Sequence, residues 1–265
     1  MDNNQSSGRL VFAEERKNRL VEYINEKRSV IVPELCEVFS VSGATIRNDL
    51  RELDDAGLIL RTHGGAIRKS RTGFEPDIDQ RSDRNREAKI LVAETALETI
   101  NDGDTVILDT GTTVTELARL LGRKNNLTVV TNDITIASIL EKTQSCEVLL
   151  IGGLLRKGFH CTVGYGKFCH MESLSVDIAM LGANSFSARK GASTPDLSQS
   201  EIKRQMIRIA AKVVLLCDHT KLETDSFMNF ASPSQIDLLV TDRISEELLK
   251  TYEEMDITVH CPAVE

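Results

Sequence analysis

Apolar positions in the first quarter of the chain recur at helical spacing. Leu20, Val21 and Ile24 make one stripe and predict a helix over 13–27. Pro33, favoured in the first turn, opens a second helix on which Leu35, Val38 and Phe39 share a side. Ser40-Val41-Ser42 turns the chain. Ser42 suits the N-cap of a third helix, 43–56, whose Ile46, Leu50 and Leu53 recur at four and three residues before Gly57 stops it. Residues 58–69 then hold two short extended runs joined across Gly64-Gly65, the pattern of a hairpin. Helix, turn, helix and hairpin together predict a winged helix-turn-helix.

The periodicity lapses at Arg68-Lys69-Ser70-Arg71-Thr72-Gly73-Phe74-Glu75-Pro76 and in the charged stretch that follows, where Ile78 alone is apolar. Beyond it, strands and helices alternate. Helices are expected at 87–100, 114–121, 134–141, 200–211 and 246–254. Strands are expected at 105–108, 127–130, 148–151, 178–181, 213–217, 238–240 and 257–259. This alternation predicts an α/β fold with a largely parallel sheet. The chain therefore divides into a disordered start at 1–12, a winged helix-turn-helix unit at 13–70, a linker at 71–86 and an α/β domain at 87–265.

Composition narrows the class. Of 265 residues, 41% are hydrophobic and 27% charged, an ordinary globular balance. The apolar runs are far shorter than the ~20 residues that span a bilayer. The first residues lack a basic start followed by an apolar run, so a cytoplasmic protein is expected. The six cysteines form no C-x-x-C pair and are expected to be reduced. His160-Cys161 and Cys169-His170 match no common zinc spacing, and no metal or cofactor is expected. A net charge of -8 argues against nonspecific affinity for nucleic acid. That acidity is unevenly spread: residues 1–71 hold 12 Lys and Arg against 11 Asp and Glu, while the remainder holds 20 against 29.

The third helix carries different chemistry on its two faces. Opposite the apolar stripe lie Ala44, Thr45, Arg47, Asn48 and Arg51. Arginine pairs with guanine O6 and N7 and asparagine with adenine N6 and N7, while the hydroxyls of Ser42 and Thr45 can hold phosphates. On charge pattern alone an ordinary solvated face, with Arg51 paired to Asp54 or Asp55, is an equal reading. The hairpin favours DNA, because its basic ends Arg61, Arg68 and Lys69 are placed to touch the sugar-phosphate backbone.

In a parallel sheet ligands bind beyond the carboxyl ends of the strands. There the chain reads Asp109-Thr110-Gly111-Thr112-Thr113 opening a helix, then Thr131-Asn132-Asp133, Gly152-Gly153 and Asp218-His219-Thr220-Lys221. A glycine flanked by hydroxyls at a helix start can cradle a phosphate, and a lysine at the same edge can balance its charge. Each segment also reads as a plain turn or cap.

Val41-Ser42, Thr45-Ile46-Arg47-Asn48-Asp49-Leu50, Leu53, Gly57, Arg61 and His63-Gly64-Gly65-Ala66 resemble the N-terminal signature of the DeoR family of bacterial transcriptional regulators. The strand-end segments, with Gly191 and Thr241-Asp242, resemble that family's effector-sensing domain, so the likeness runs from about residue 14 to 260. It implies a repressor that reads double-stranded operator DNA through Ser42, Ala44, Thr45, Arg47, Asn48, Arg51, Arg61, His63, Arg68 and Lys69. It also implies a second domain of the sugar-phosphate isomerase and coenzyme A transferase type. That domain would bind a phosphorylated sugar or related metabolite through Asp109, Gly111, Thr112, Thr113, Thr131, Asn132, Gly153, Asp218 and Lys221. Two departures stand out. Most members carry a second arginine where this chain has Asn48, and many read D-S-S-K-F where it has Asp218-His219-Thr220-Lys221-Leu222.

An isomerase needs a carboxylate base. Related isomerases have an acid-rich turn after the strand expected at 178–181, whereas here Gly182-Ala183-Asn184-Ser185-Phe186 follows and no carboxylate appears before Asp196. The expectation is a regulator without catalytic residues; the alternative, resting on Asp109 and Asp218, is an isomerase-like enzyme with an appended DNA-binding domain. One winged helix covers only part of a site, so a homo-oligomer, dimer or tetramer, on repeated half-sites is expected.

Overall fold

The computed structural model describes residues 5–27, 29–56, 58–62, 64–68, 75, 78–82, 84–164 and 171–264. It comprises two compact units, Met1–Arg71 and Thr72–Glu265. Among the described residues no helix is long and apolar enough to cross a membrane, and no group of three His, Cys, Asp or Glu is gathered to hold a metal ion. Cys169 and His170 lie outside the described residues.

The first unit runs α1 (Gln5–Lys27), β1 (Ser29–Ile31), α2 (Val32–Phe39), α3 (Gly43–Asp55), β2 (Ile59–Thr62) and β3 (Gly65–Arg68). Its core joins Leu20 and Ile24 of α1, Leu35 of α2, and Ile46, Leu50 and Leu53 of α3 to Val30, Ile59 and Ala66 of the sheet. Helix α1 starts at Gln5 instead of residue 13, so the expected disordered start is helical from Gln5 onward. No proline in 5–12 stops it. On α2 the inward stripe is Val32, Leu35, Cys36 and Phe39, while Val38, expected inside, is 50% exposed. Spacings of three, four and seven from Val32 define that face.

Strand β1 was not expected, since three residues with only Val30 buried are too short for a period to show. It joins the hairpin to give an antiparallel sheet ordered β1-β3-β2. Thr62 pairs with Gly65, so the expected join across Gly64-Gly65 is corrected: Gly65 already lies in β3. Gly65 is a strand residue with a packing reason. A Cβ there would stand 1.9 Å from the Val30 carbonyl oxygen, and only glycine lets β3 lie against β1.

The second unit begins with α4 (Ile78–Ser82), α5 (Arg86–Leu97), β4 (Thr105–Leu108), α6 (Thr112–Leu120), β5 (Leu127–Thr131), α7 (Ile134–Leu140) and β6 (Cys146–Leu150). It continues with β7 (Leu154–Arg156), β8 (Cys161–Val163), β9 (Val176–Gly182), β10 (Ser185–Ser187), β11 (Gly191–Thr194), α8 (Leu197–Ile209) and β12 (Ala210–Leu216). β13 (Met228–Ala231), β14 (Leu238–Val240), α9 (Glu246–Glu253) and β15 (Val259–His260) complete it. The expected linker at 71–86 is therefore corrected. The boundary falls after Arg71, and α4 belongs to the second unit, with Ile78 buried and its N–H bonded to the Gly158 carbonyl at 3.1 Å.

The main sheet is ordered β15-β14-β12-β9-β4-β5-β6, and every pair in it is parallel. Both faces are covered. Val106 and Leu108 pack with Val92 of α5 and Leu117 of α6 on one side, while Ile107 meets Ile202 and Met206 of α8 on the other. Two-sided burial explains why these strands read as unbroken apolar runs. From β4 the chain steps outward to β5 and β6, then returns to β9 and builds the other half. The order thus reverses between β4 and β9, where a crevice opens beyond the strand ends.

Candidate functional site

Each unit carries one candidate surface. In the first unit, Ser40 adopts a left-handed conformation (φ 52°) to end α2, and Ser42 caps α3, its Oγ accepting from the Thr45 N–H at 3.2 Å. Thr45 Oγ1 also lies 2.9 Å from Ser42 Oγ, so both hydroxyls serve the cap. Arg16 of α1 grips buried Asp49 of α3 in a two-pronged contact, Nε donating to Oδ2 at 2.6 Å and Nη2 to Oδ1 at 3.1 Å. Lys17 pairs with Glu52. These contacts neutralise the acids on the flank of α3 that faces α1.

The opposite face is left cationic. Ala44, Arg47, Asn48 and Arg51 are exposed, and Thr45 is half-buried. Among the described residues no ion pair joins Arg51 to Asp54 or Asp55; the Asp54 carboxylate accepts from the Arg61 N–H at 3.2 Å. Arg61 is exposed on β2 and Arg68 ends β3. His63 and Lys69 lie outside the described residues.

In the second unit the reversal between β4 and β9 is welded by charge. Asp109, fully buried after β4, pairs with Lys203 of α8 and accepts from the Gly182 N–H at 3.0 Å, while Lys203 Nζ donates to the Gly182 carbonyl at 3.0 Å. Next to it, Asp133 caps α7, accepting from Thr135 and Ile136 N–H groups, and accepts from the Thr110 hydroxyl at 2.7 Å. Burial holds the Asp133 carboxyl above the ordinary carboxylate range.

Between these fixed points Gly111 (φ 141°) starts α6 with no capping side chain, and the intrahelical ladder begins only at Thr115 N–H to Gly111 carbonyl, 2.8 Å. The first N–H groups of α6 therefore have no intrahelical acceptor, and Gly111, Thr112, Thr113 and Val114 line a pocket. Its other walls bring Glu75 and Arg81 from the start of the unit, Arg156 and Phe159 from the β7-β8 hairpin, Asn184 from the turn after β9, and Gln199 and Lys203 from α8. Gln199 Nε2 donates to Cys161 Sγ at 3.0 Å, but its Oε1 is buried without a hydrogen-bond partner. Such an acceptor costs roughly 1–3 kcal/mol, which a ligand hydroxyl would recover.

Of the residues expected from sequence, the structure thus gathers Gly111, Thr112 and Thr113 at the pocket, with Asp109 behind its wall. The others hold the fold around it. The Thr131 hydroxyl accepts from the Asp133 N–H, and Asn132 Nδ2 donates to the Thr162 carbonyl at 2.7 Å. Gly153 is glycine because a Cβ would meet the Val163 carbonyl at 2.6 Å. Asp218 caps the turn 219–221 and receives Asn85 Nδ2 at 3.3 Å. Burial alone would raise the Asp218 carboxyl, yet Lys221 and the Thr220 hydrogen bonds outweigh it and hold it low. Burial lowers the Lys221 ammonium, Asp218 opposes that, and the charges of Arg84 and Arg81 reinforce it. Lys221 is not among the residues that line the pocket.

Sequence reasoning missed Glu75, Arg81, Arg156, Gln199 and Lys203. Arg81 is fixed by buried Lys89, whose ammonium donates to the Arg81 and Arg84 carbonyls. Burial pushes Lys89 down to about 8. The helical phase of Lys203, three and four residues before buried Met206 and Ile207 on an amphipathic helix, was the available signal.

The comparisons with known proteins meet both surfaces. Residues 16–72 match the family described as DeoR-like helix-turn-helix domain, and residues 84–243 match DeoR C terminal sensor domain. A transcriptional regulator, GlpR, of Haloferax volcanii is 39% identical over 228 residues, covering 86% of this chain and 89% of its own. The glycerol-3-phosphate regulon repressor of Escherichia coli K12 is 32% identical over 228 residues, 86% of this chain and 90% of its own. Among solved structures, a D-ribose-5-phosphate isomerase in complex with phospho-erythronic acid is 17% identical, with a TM-score of 0.40 over 52% of this chain and 54% of that one.

Proposed function

The chain belongs to the DeoR family of transcriptional regulators, and from that premise we propose that it represses a carbohydrate-metabolism operon under control of a phosphorylated sugar. Helix α3 enters the major groove, with Arg47, Asn48 and Arg51 toward base edges and Arg61 on the backbone. The sugar's phosphate sits on the N–H groups of Thr112, Thr113 and Val114, where the helix dipole favours an anion. Arg81 and Arg156 flank it, and Gln199 Oε1 accepts a sugar hydroxyl.

The observation that carries the effector reading is the uncapped start of α6 at the reversal of the sheet, faced by two arginines. The carboxylates near it are already engaged: Asp109 by Lys203, Asp133 by the α7 start, Glu75 by arginine. That occupancy favours sensing over isomerisation. Two copies on repeated half-sites would supply the affinity that one winged helix lacks.

The test is a gel-shift titration of the DNA upstream of the chain's own gene against a panel of sugars and their phosphates. A specific complex that only phosphorylated members alter is expected. A complex indifferent to the whole panel would sink the effector reading. Turnover of a pentose or hexose phosphate, lost in Asp109→Ala, would instead establish the enzyme.

A further inference from the structure

We propose that Glu75 is a built-in competitor for the pocket's anion site. Its carboxylate occupies the arginines that an incoming phosphate needs, and so sets the threshold that a dianion passes and a singly charged anion does not. The inference rests on the reading of this pocket as the effector site.

The Glu75 side chain is 8% exposed although the residue belongs to no helix or strand. Its Oε1 accepts from Arg81 Nη1 at 2.5 Å and from Asn184 Nδ2 at 3.1 Å, and its Oε2 accepts from Arg156 Nη1 at 3.0 Å. One carboxylate thereby bridges two guanidiniums that come from different elements, α4 and β7. This is the geometry in which arginines receive a phosphate. Both guanidiniums are otherwise held in place. Arg156 stacks on Phe159 at 3.5 Å and lies 3.4 Å from Asp196, and the Arg81 backbone is pinned by Lys89.

The charges follow the same logic. Lys203 is matched by Asp109, and Arg81 and Arg156 face Glu75, with Asp196 as a further partner of Arg156. The pocket is therefore balanced while Glu75 is in place, and its displacement leaves one positive charge in excess, to which the start of α6 adds. A phosphate monoester brings about -1.5 to -2 and is drawn by that field more strongly than the single charge of Glu75. A monoanion only replaces one single charge by another. It must also compete with a carboxylate tethered to the same chain, whose effective concentration is in the millimolar range or above. Removing the tethered charge lowers the threshold for both kinds of anion.

The experiment is calorimetric titration of the full chain at about pH 8, where a monoester is a dianion, with methyl phosphate and with dimethyl phosphate, a monoanion of similar shape. Wild-type protein is expected to bind methyl phosphate and to give no measurable heat with dimethyl phosphate. In Glu75→Gln, methyl phosphate should bind on the order of tenfold tighter or more, and dimethyl phosphate should enter the measurable range. Glu75→Asp, which keeps the charge but withdraws it by one methylene, should fall between, and it carries the test if the glutamine variant does not fold. Unchanged or weaker methyl phosphate binding in the variants, with wild-type binding abolished by Arg156→Ala, overturns the competitor while leaving the effector site standing. No methyl phosphate binding by any of the folded proteins overturns both.

Discussion

Arg47 and Lys89 illustrate opposite uses of a cation. Arg47 is exposed on α3 and carries no ion pair among the described residues, while Arg16 and Lys17 have taken Asp49 and Glu52 on the flank facing α1. Arg47→Ala should therefore weaken specific operator binding by about 1–3 kcal/mol and relax preference at one base pair, as read by footprinting on single-base operator variants. An unchanged footprint would remove α3 from the groove. Lys89 is buried and titrates at about 8 when folded, against an ordinary value of 10.5. At neutral pH it is charged in both states, and its burial counts against the fold. Above about pH 8 the folded form loses its proton first, so stability measured against Lys89→Met should rise by about 2 kcal/mol between pH 7 and 9.5. Denaturant titrations at the two pH values check this. A difference that stays flat would mean that the ammonium remains solvated.

Elements with a sustained period were legible from the sequence. The strands at 105–108 and 238–240 fall where the apolar runs put them, and the N-cap of α3 falls at Ser42. Ser42→Ala should cost the first unit about 1 kcal/mol in denaturant unfolding, because the Thr45 N–H loses its acceptor. What escaped were short elements whose burial comes from distant partners. Ser185-Phe186-Ser187 of β10 alternate over three residues only, too few to mark a strand, and all three are buried by distant partners. Helix α4 shows a single apolar residue, Ile78, and looks like linker until its contact with the β7-β8 hairpin loop is seen. The pocket divides the same way. The start of α6 is a local motif and could be read. Glu75, Arg81 and Arg156 acquire meaning only through a meeting 81 residues apart in sequence, which no spacing announces.

At the scale of the molecule, two units with separate cores are joined in one chain, and under the proposed function the metabolite and the operator address different units. If the effector lowers operator affinity by some factor, saturating operator must weaken effector binding by the same factor. Calorimetry with and without operator DNA checks that equality, and unequal factors would mean that a further state or ligand intervenes. Separate cores also allow one unit to be broken alone. Gly65→Ala drives a methyl group into the Val30 carbonyl and so collapses the wing, in a core that shares no residue with the sensor's. The resulting protein should register its sugar signal in full while remaining blind to the promoter, so one carbon atom uncouples perception from response.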